Sequence, residues 1–200
     1  MRLIIVRHGQ TEYNRKNLLQ GQGGIGLNSQ GWKEAKKATQ RLKKESIDVA
    51  YVSDLQRAQE TAKEILRYHK LVKIVVTSAL RERHHGVFEG RPAQEMIKAR
   101  EKSKVSFHKF KPKGGESYQD VQRRVGLLYH RLCQKYKEET VLLISHGGTI
   151  RALLLLIFKE SFSSDNYPKY HHGNCAITIL EISKTKKPKI EVLNCLKHII

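Results

Sequence analysis

Two histidines, each preceded by a short apolar run and followed by glycine, are the residues of this chain best suited to chemistry. His8, in the segment RHGQT, follows residues 3–6, and His146, in the segment SHGG, follows residues 141–144. Each run predicts a buried strand, and open α/β sheets bind ligands at the carboxyl ends of their strands. An imidazole can attack as a nucleophile, and the guanidinium of Arg7 can hold anionic oxygens in a planar fork. Together the two segments predict covalent chemistry on an anion.

Two further charged residues are expected at the same edge of the sheet. Arg57, in SDLQRAQET, lies in the first turn of a predicted helix that follows a strand over 48–52, with Ser53 as the expected helix cap. Glu82, in LRERHHGVFEG, follows a strand over 73–77 and lies in a loop marked by glycines. A surface arginine and a salt-bridged loop carboxylate are the ordinary alternatives for these two residues.

Strands and helices alternate along the chain, without an internal repeat or a low-complexity linker. Apolar residues at helical spacing follow Ser29, Ser53 and Ser117, and Asp120 completes a predicted capping box with Ser117. A strongly apolar helix is expected over 150–158. A terminal strand pair is expected over 176–182 and 190–196. A lysine-rich turn over 184–189 is expected to join the two strands. This order predicts one domain over residues 1–200, a three-layer α/β/α sandwich with a mainly parallel sheet.

The chain has a formal net charge of +19 over 200 residues, which raises the question of nucleic-acid binding. The lysines are spread over the whole chain, however, without interleaved aromatic residues or a known nucleic-acid-binding motif. We therefore expect a small phosphorylated substrate, attracted by the positive potential, and no nucleic-acid partner.

The cysteines indicate a reducing compartment. Cys133, Cys175 and Cys195 are odd in number and widely spaced, which favours free thiols. The first residues do not form a signal-peptide pattern, and no apolar stretch reaches the length of a membrane span. The expectation is a cytoplasmic monomer or homodimer with no membrane partner.

No metal and no cofactor are expected. The adjacent pairs His84–His85 and His171–His172 lack the spacing of zinc sites such as HExxH or paired CxxC motifs. Positive charge for an anion would then come from arginine side chains.

A basic segment, residues 91–115, connects the Glu82 loop to the helix that follows Ser117. It holds eight Lys or Arg residues against two Glu, and we refer to it as the cap segment. If it lies over the anion site, Lys109, Lys111 and Lys113 would favour substrates with a second phosphate. A solvated basic surface is the alternative.

In chain order, the segments RHGQT, SDLQRAQET, LRE, GGES and SHGG resemble the histidine phosphatase superfamily, also called phosphoglycerate mutase-like. The resemblance implies a phosphohistidine mechanism, with catalytic residues His8, Glu82, Arg7, Arg57 and His146. It further implies a role in substrate binding for Asn14, Gln20, Gly21, Arg83 and Gly147. Ordinary loop positions are the alternative for Asn14 and Gln20.

The QGQG segment at 20–23 and the spacing from the Glu82 loop to GGES resemble TIGAR-like sugar-bisphosphate phosphatases. The run ERHHG also resembles the ERHYG of cofactor-dependent phosphoglycerate mutases, although the longer insertion of those mutases is absent. The resemblance therefore favours a phosphatase acting on sugar bisphosphates or phosphoglycerates. A mutase and a non-catalytic phosphate-binding module are the alternatives.

The chemistry sets two requirements on protonation. The nucleophile His8 must be neutral, and the cations Arg7 and Arg57 should lower its pKa below about 6.5. Glu82 must carry a proton to donate to the leaving oxygen, whereas the same cations favour its carboxylate. A bound phosphate should reverse that preference, because its negative charge raises the pKa of a nearby carboxyl group. The protonation state of His146 is left open.

Overall fold

Six strands form one sheet in the computed structural model, which describes residues 1–183 and 185–199. The strands are β1 (Arg2–Arg7), β2 (Val49–Ser53), β3 (Lys73–Thr77), β4 (Thr140–Ser145), β5 (Ile177–Glu181) and β6 (Lys189–Cys195). The α-helices are α1 (Glu12–Arg15), α2 (Ser29–Leu42), α3 (Gln56–Ile65), α4 (Ala93–Ser103), α5 (Tyr118–Lys135) and α6 (Gly147–Ile157). Short 3₁₀ turns lie at Leu66–Tyr68, Ser78–Leu80, Gly86–Phe88 and Tyr167–Tyr170.

The sheet order is β3-β2-β4-β1-β5-β6, with β3, β2, β4 and β1 parallel to one another. Strands β5 and β6 add an antiparallel edge. Because Arg7 of β1 pairs in register with Ser145 of β4, the residues that follow these strands, His8 and His146, leave the sheet side by side. The order of parallel strands thus joins two segments that are far apart in the sequence.

Helices cover both faces of the sheet. On one face, Ile4 and Val6 pack against alanines of α2 and α3. On the other face, Leu3 and Ile5 pack against α5 and α6. Burial on both faces explains why β1 is a continuous apolar run, since alternation with polar residues is expected only for a strand with one face in water. The predicted three-layer α/β/α sandwich with a mainly parallel sheet is confirmed.

Local predictions hold for most elements. The capping box is present, since Ser117 accepts from the Asp120 amide and Asp120 accepts from that of Ser117. Two details differ. Helix α3 begins at Gln56 with Leu55 at the cap position and, within the described chain, no side-chain cap, so the prediction of Ser53 as cap is wrong. The terminal strand pair is confirmed, while Lys184 of its predicted turn lies outside the described residues.

Candidate active site

The two histidine rings lie together beyond the ends of β1 and β4. The ring centroids of His8 and His146 are 5.0 Å apart, and both side chains are buried. The Nδ1 atom of His8 is 2.7 Å from the carbonyl oxygen of Gly9. Because a carbonyl oxygen only accepts, this Nδ1 carries the proton. Nε2 of a neutral His8 is therefore the unprotonated nitrogen, the form that a nucleophile requires.

His146 has the opposite arrangement of donor and acceptor. Its Nδ1 accepts a hydrogen bond from Nε of Arg57 at 3.2 Å, and its Nε2 lies 2.8 Å from the hydroxyl of Ser53. Since an arginine only donates, Nδ1 of His146 is unprotonated and Nε2–H donates to Ser53. The contacts assign the neutral ring to His146, which the sequence left open.

Burial is the main cause of the low pKa of both rings. It lowers the pKa of His8 well below 6.5, and the charges of Arg57 and Arg7 lower it further. The pKa of His146 is lowered in the same way, by burial first and then by Arg57. Both imidazoles are therefore neutral at neutral pH, as phosphoryl transfer to His8 requires.

Two arginines border the rings. Arg57, in the first turn of α3, is fully buried and donates through Nη1 to the carbonyl of Gly23 and through Nη2 to that of Gly21. Burial lowers its pKa to about 10, so it stays charged at neutral pH. Arg7 donates through Nη1 to the carbonyl of His172 at 2.6 Å. Its Nε is buried and has no partner among the described residues, which leaves a charged donor for an anion.

Glu82 lies at the N-terminus of α6. Its Oε2 accepts from the Gly148 amide at 2.9 Å and its Oε1 accepts from the Arg83 amide at 2.8 Å. A Cβ atom at Gly148 would lie only 2.5 Å from the Glu82 carboxylate, so a glycine is needed for this approach. Burial raises the pKa of Glu82, but hydrogen bonds from the Gly148 and Arg83 amides and the charge of Arg57 outweigh burial and hold the pKa below its usual value. Without a bound anion, Glu82 is a carboxylate.

Arg7 and Arg57 lie close to both the Glu82 carboxylate and the His8 imidazole. Arg7 and Arg57 both interact electrostatically with Glu82 as well as with His8. The structure thus places all the residues expected to be catalytic close together at the carboxyl ends of the parallel strands.

Arg124 of α5 holds the Glu82 loop in place, a contact that the sequence did not reveal. It donates to the backbone carbonyls of Ala79 and Glu82 at 3.0 Å each and forms an ion pair with Glu116 at 2.9 Å. Glu116 also accepts from the amide of His84. The segment GGES therefore contributes a carboxylate that fixes the loop.

The residues expected to bind substrate fall into two groups. Asn14 and Gly147 line an open cavity of about 400 Å³, the mouth, which Arg7 and Glu82 also line. Arg83 lines a second cavity, but its guanidinium is already bound to the carbonyls of Glu116 and Phe110.

The other two predicted residues contact the loop behind the site. Gln20 accepts from the hydroxyl of Thr11 at 2.8 Å, and Gly21 offers its carbonyl to Arg57. Gly21 has a φ of +52°, and a Cβ there would clash with Glu89. Neither residue is among those that line the mouth, and their contacts are with Thr11 and Arg57 of the site.

The second cavity, the cap cavity, has a volume of about 370 Å³ and adjoins the mouth at Glu82 and Arg151. The cap segment lines it with Met96 and Ile97 of α4 and with Phe107. Residues of the cap segment therefore line a cavity that Glu82 also lines. Arg100 of this segment also lines the cavity. The lysines of the segment do not line either cavity and are all exposed, namely Lys98, Lys102, Lys104, Lys109, Lys111 and Lys113.

Arg151, His171 and Ser53 are site residues that sequence reasoning missed as such. Arg151 stacks on the ring of Tyr167 at 4.3 Å, is hydrogen-bonded to His171 and lines both cavities. Its position five residues after His146 on α6 was the available signal, since the first turns of this helix face the strand ends. Ser53 gave the wrong signal, because a serine before a helix is typical of a cap.

Ser53→Ala tests the role of that hydroxyl. The change leaves the buried Nε2–H of His146 without its acceptor, so the free energy of unfolding should fall by about 1–3 kcal/mol. Urea denaturation measures this loss. Ser46→Ala, at an exposed position, is the matched control and should shift stability by less than about 0.5 kcal/mol. Equal effects of the two changes would contradict the assigned hydrogen bond.

Acid should destabilise this protein well above the pH range in which carboxylates titrate. Burial lowers the pKa of His172 to about 4, whereas an unfolded histidine has a pKa of about 6.5. Between these values the unfolded chain binds a proton that the native chain does not, so stability falls as the pH falls. From pH 7 to pH 5 this ring alone should cost about 2 kcal/mol. His8 and His146 act in the same direction.

Urea denaturation at pH 7 and pH 5 measures this loss. His172→Gln removes one titrating ring, so the change in the free energy of unfolding between pH 7 and pH 5 should be about 2 kcal/mol smaller than in the wild type. His130→Gln, on α5 outside the site, provides the matched control. A free energy of unfolding that is constant from pH 7 to pH 5 would contradict the buried neutral histidines.

The helices of the described chain include none that is long and apolar enough to cross a membrane.

Comparison with known proteins agrees with this geometry. The family model of the histidine phosphatase superfamily (branch 1) matches residues 3–196. A 2,3-bisphosphoglycerate-dependent phosphoglycerate mutase of Bartonella bacilliformis is 36% identical over 177 residues, which cover 82% of this chain and 83% of the mutase. A mycobacterial glucosyl-3-phosphoglycerate phosphatase, solved in complex with VO3, superposes with a TM-score of 0.83 at 30% identity over 97% of this chain and 99% of that chain.

A third similar protein is a phosphoserine phosphatase of Entamoeba histolytica, solved with 3-phosphoglyceric acid. It superposes with a TM-score of 0.83 at 26% identity over 100% of this chain and 99% of that chain. The resemblance seen in the sequence motifs is confirmed over nearly the whole chain, and this chain belongs to branch 1 of the histidine phosphatase superfamily.

Proposed function

We propose that this protein is a phosphatase that hydrolyses small phosphorylated metabolites through a phosphohistidine at His8. The observation that carries the proposal is the state of His8, which is buried and neutral and bonded through Nδ1 to Gly9. Nε2 is left as the nucleophile, and Arg7 and Arg57 lie beside it to hold phosphate oxygens. Phosphoryl transfer needs mainly such positioning and charge stabilisation.

In the first step, Nε2 of His8 forms a bond to phosphorus while the ester P–O bond breaks. The leaving oxygen takes a proton from Glu82, and the alcohol departs. In the second step, water attacks phosphorus, the Nε2–P bond breaks, and Glu82 accepts the proton of the water. The products are the alcohol and inorganic phosphate, and both side chains return to their starting states.

Glu82 must be protonated at the start of this cycle, although it is a carboxylate in the ligand-free site. A bound phosphate ester brings a charge of about −1.5 to −2 and accepts hydrogen bonds from the same arginines. Its charge offsets theirs and raises the pKa of the neighbouring carboxyl group. The substrate itself therefore produces the acid form of Glu82.

The sequence led us to expect sugar bisphosphates or phosphoglycerates as substrates. The exposed lysines of the cap segment remove the physical reason for preferring a second phosphate. The proposal therefore covers small phosphate monoesters in general. The similarity to two proteins named as phosphatases supports hydrolysis as the reaction.

Release of inorganic phosphate from a panel of phosphate monoesters, with and without EDTA, tests the proposal. Turnover of several monoesters that survives EDTA is expected, because Arg7 and Arg57 supply the positive charge. Absence of phosphate release from every ester, or loss of activity in EDTA that a divalent ion restores, would contradict it.

A mutase is the second candidate, favoured by the 36% identity to a phosphoglycerate mutase over most of both chains. A mutase would return the phosphoryl group of His8 to another hydroxyl group instead of to water. Interconversion of phosphoglycerates that requires catalytic 2,3-bisphosphoglycerate would identify it, whereas release of inorganic phosphate at the same rate without that compound supports the phosphatase.

A further inference from the structure

The cap cavity begins where the leaving group of a substrate must lie. Glu82 lines both the mouth and the cap cavity, and it is the proposed donor to the leaving oxygen. With the phosphate held by Arg7, which lines the mouth, an ester oxygen at Glu82 directs the rest of the leaving group toward the cap cavity. Its volume of about 370 Å³ lies within the range of about 300–1,000 Å³ typical of ligand pockets.

Apolar and aromatic side chains form most of the lining. Met96, Ile97 and Phe107 come from the cap segment, and Tyr118 and Tyr167 also line the cavity, with their rings against that of Phe107. The rings of Phe107 and Tyr118 are stacked 5.2 Å apart, so the aromatic surface is held in place. Such a surface binds a flat or aliphatic group by removing its apolar area from water.

The charged groups at this cavity are already engaged. The guanidinium of Arg83 donates to two backbone carbonyls and stacks on Tyr118. Arg100 pairs with Glu101 at 3.3 Å. His85 also lines the cavity, and burial lowers its pKa to about 4, so it adds no charge at neutral pH. A second phosphate bound beside these groups, away from Arg151, would lose its hydration without gaining an unpaired cation.

Arg151 is the exception, and it lies where the mouth and the cap cavity meet. It lines the mouth as well as the cap cavity and has no carboxylate partner in the described part of the chain. Its charge therefore acts at the junction, beside the reacting phosphate. Beyond this junction the cavity becomes apolar.

We propose that the cap cavity binds the leaving group of the substrate and selects a single apolar or aromatic group over a group that carries a second phosphate. This inference rests on the proposed function, because it takes the ester oxygen at Glu82 as the point where the leaving group begins. It replaces the bisphosphate preference expected from the charge of the cap segment.

Binding of non-hydrolysable phosphonates tests the inference apart from turnover. Isothermal titration would compare 2-phenylethylphosphonate, ethylphosphonate and ethane-1,2-bisphosphonate on the wild-type protein. The phenyl compound is expected to bind about 10- to 100-fold more tightly than the ethyl compound, the gain from burying one aromatic side group. Equal binding of these two, or tightest binding of the bisphosphonate, overturns the inference.

Ile97→Asn introduces an amide into the cavity wall and should remove most of the preference for the phenyl compound, while ethylphosphonate binding stays within about twofold. Val105→Asn is the matched control, since Val105 belongs to the cap segment, is 44% exposed and does not line the cavity. It should keep the wild-type ratio. If Ile97→Asn weakens both compounds equally, or if Val105→Asn has the same effect as Ile97→Asn, the cavity is not the binding site for the apolar group.

Turnover separates this inference from the proposed function. The ratio of kcat/KM for 2-phenylethyl phosphate to that for ethyl phosphate should follow the binding ratio. Hydrolysis of both esters at equal kcat/KM overturns the inference and leaves the phosphatase standing. Preferential phosphonate binding without phosphate release from any ester supports the cavity assignment and contradicts the phosphatase.

Discussion

His8→Ala is expected to reduce kcat for every phosphate ester by about 10⁴-fold or more, because the variant has no atom that can take the phosphoryl group. In the wild type, rapid quenching with a ³²P-labelled ester should trap a labelled protein, and His8→Ala should carry no label. The label should be lost in acid and kept in base, since a phosphoramidate bond to imidazole has that behaviour. Quenched-flow analysis and denaturing electrophoresis measure both quantities.

Two controls separate chemistry from folding. His130→Ala changes a histidine on α5 whose Nδ1 contacts the Gly126 carbonyl, and it should label and turn over as the wild type does. Circular dichroism should show a cooperative unfolding transition for His8→Ala, since the ring is deleted at a strand end and the sheet register is set elsewhere. An acid-stable label, or label retained by His8→Ala, would exclude His8 as the nucleophile.

The positions of the candidate catalytic residues were predictable because parallel strands impose a simple geometry. An apolar run of four to six residues flanked by helices predicts a buried strand, and the carboxyl ends of such strands meet at one edge. His8 and His146 each follow such a run directly. Arg57 and Glu82 follow the next two strands within a few residues, so short connections kept them near the same edge.

The surroundings of these groups were less predictable because they depend on contacts between distant segments. Ser53 has the sequence context of a helix cap. Only the structure shows that its hydroxyl contacts His146, which follows the neighbouring strand β4. Arg124 is one of several arginines on α5, and nothing local distinguishes the one that holds the Glu82 loop.

The cap segment shows how composition can mislead. Its lysines dominate the count of charges, yet a helix binds through one face only, and the face of α4 toward the site carries Met96 and Ile97 beside a single cation, Arg100. Long charged side chains lie in water because burying them is costly. Net charge of a segment therefore predicts its solvent face better than the surface that it offers to a ligand.

Glu82→Gln is expected to slow alkyl phosphates by about 10²- to 10⁴-fold, the usual contribution of a general acid, because an amide cannot donate a proton to a poor leaving group. An aryl phosphate leaves without that proton, so its transfer to His8 should be slowed much less. Hydrolysis of the phosphohistidine should still be slow, since Glu82 is also the proposed base for water. Stopped-flow assays of an aryl ester should therefore show a burst followed by slow turnover.

The matched control is Glu89→Gln, which changes another carboxylate of the same loop. Oε1 of Glu89 accepts from the amides of Gln22 and His85, much as Glu82 accepts from those of Gly148 and Arg83. Because Glu89→Gln disturbs the loop and leaves Glu82 in place, it should slow alkyl and aryl esters by the same factor and produce no burst. If Glu82→Gln gives that pattern as well, Glu82 positions the loop and the proton must come from another group, such as the phosphate ester itself. A loss confined to poor leaving groups, with a burst for the aryl ester, assigns both proton transfers to Glu82.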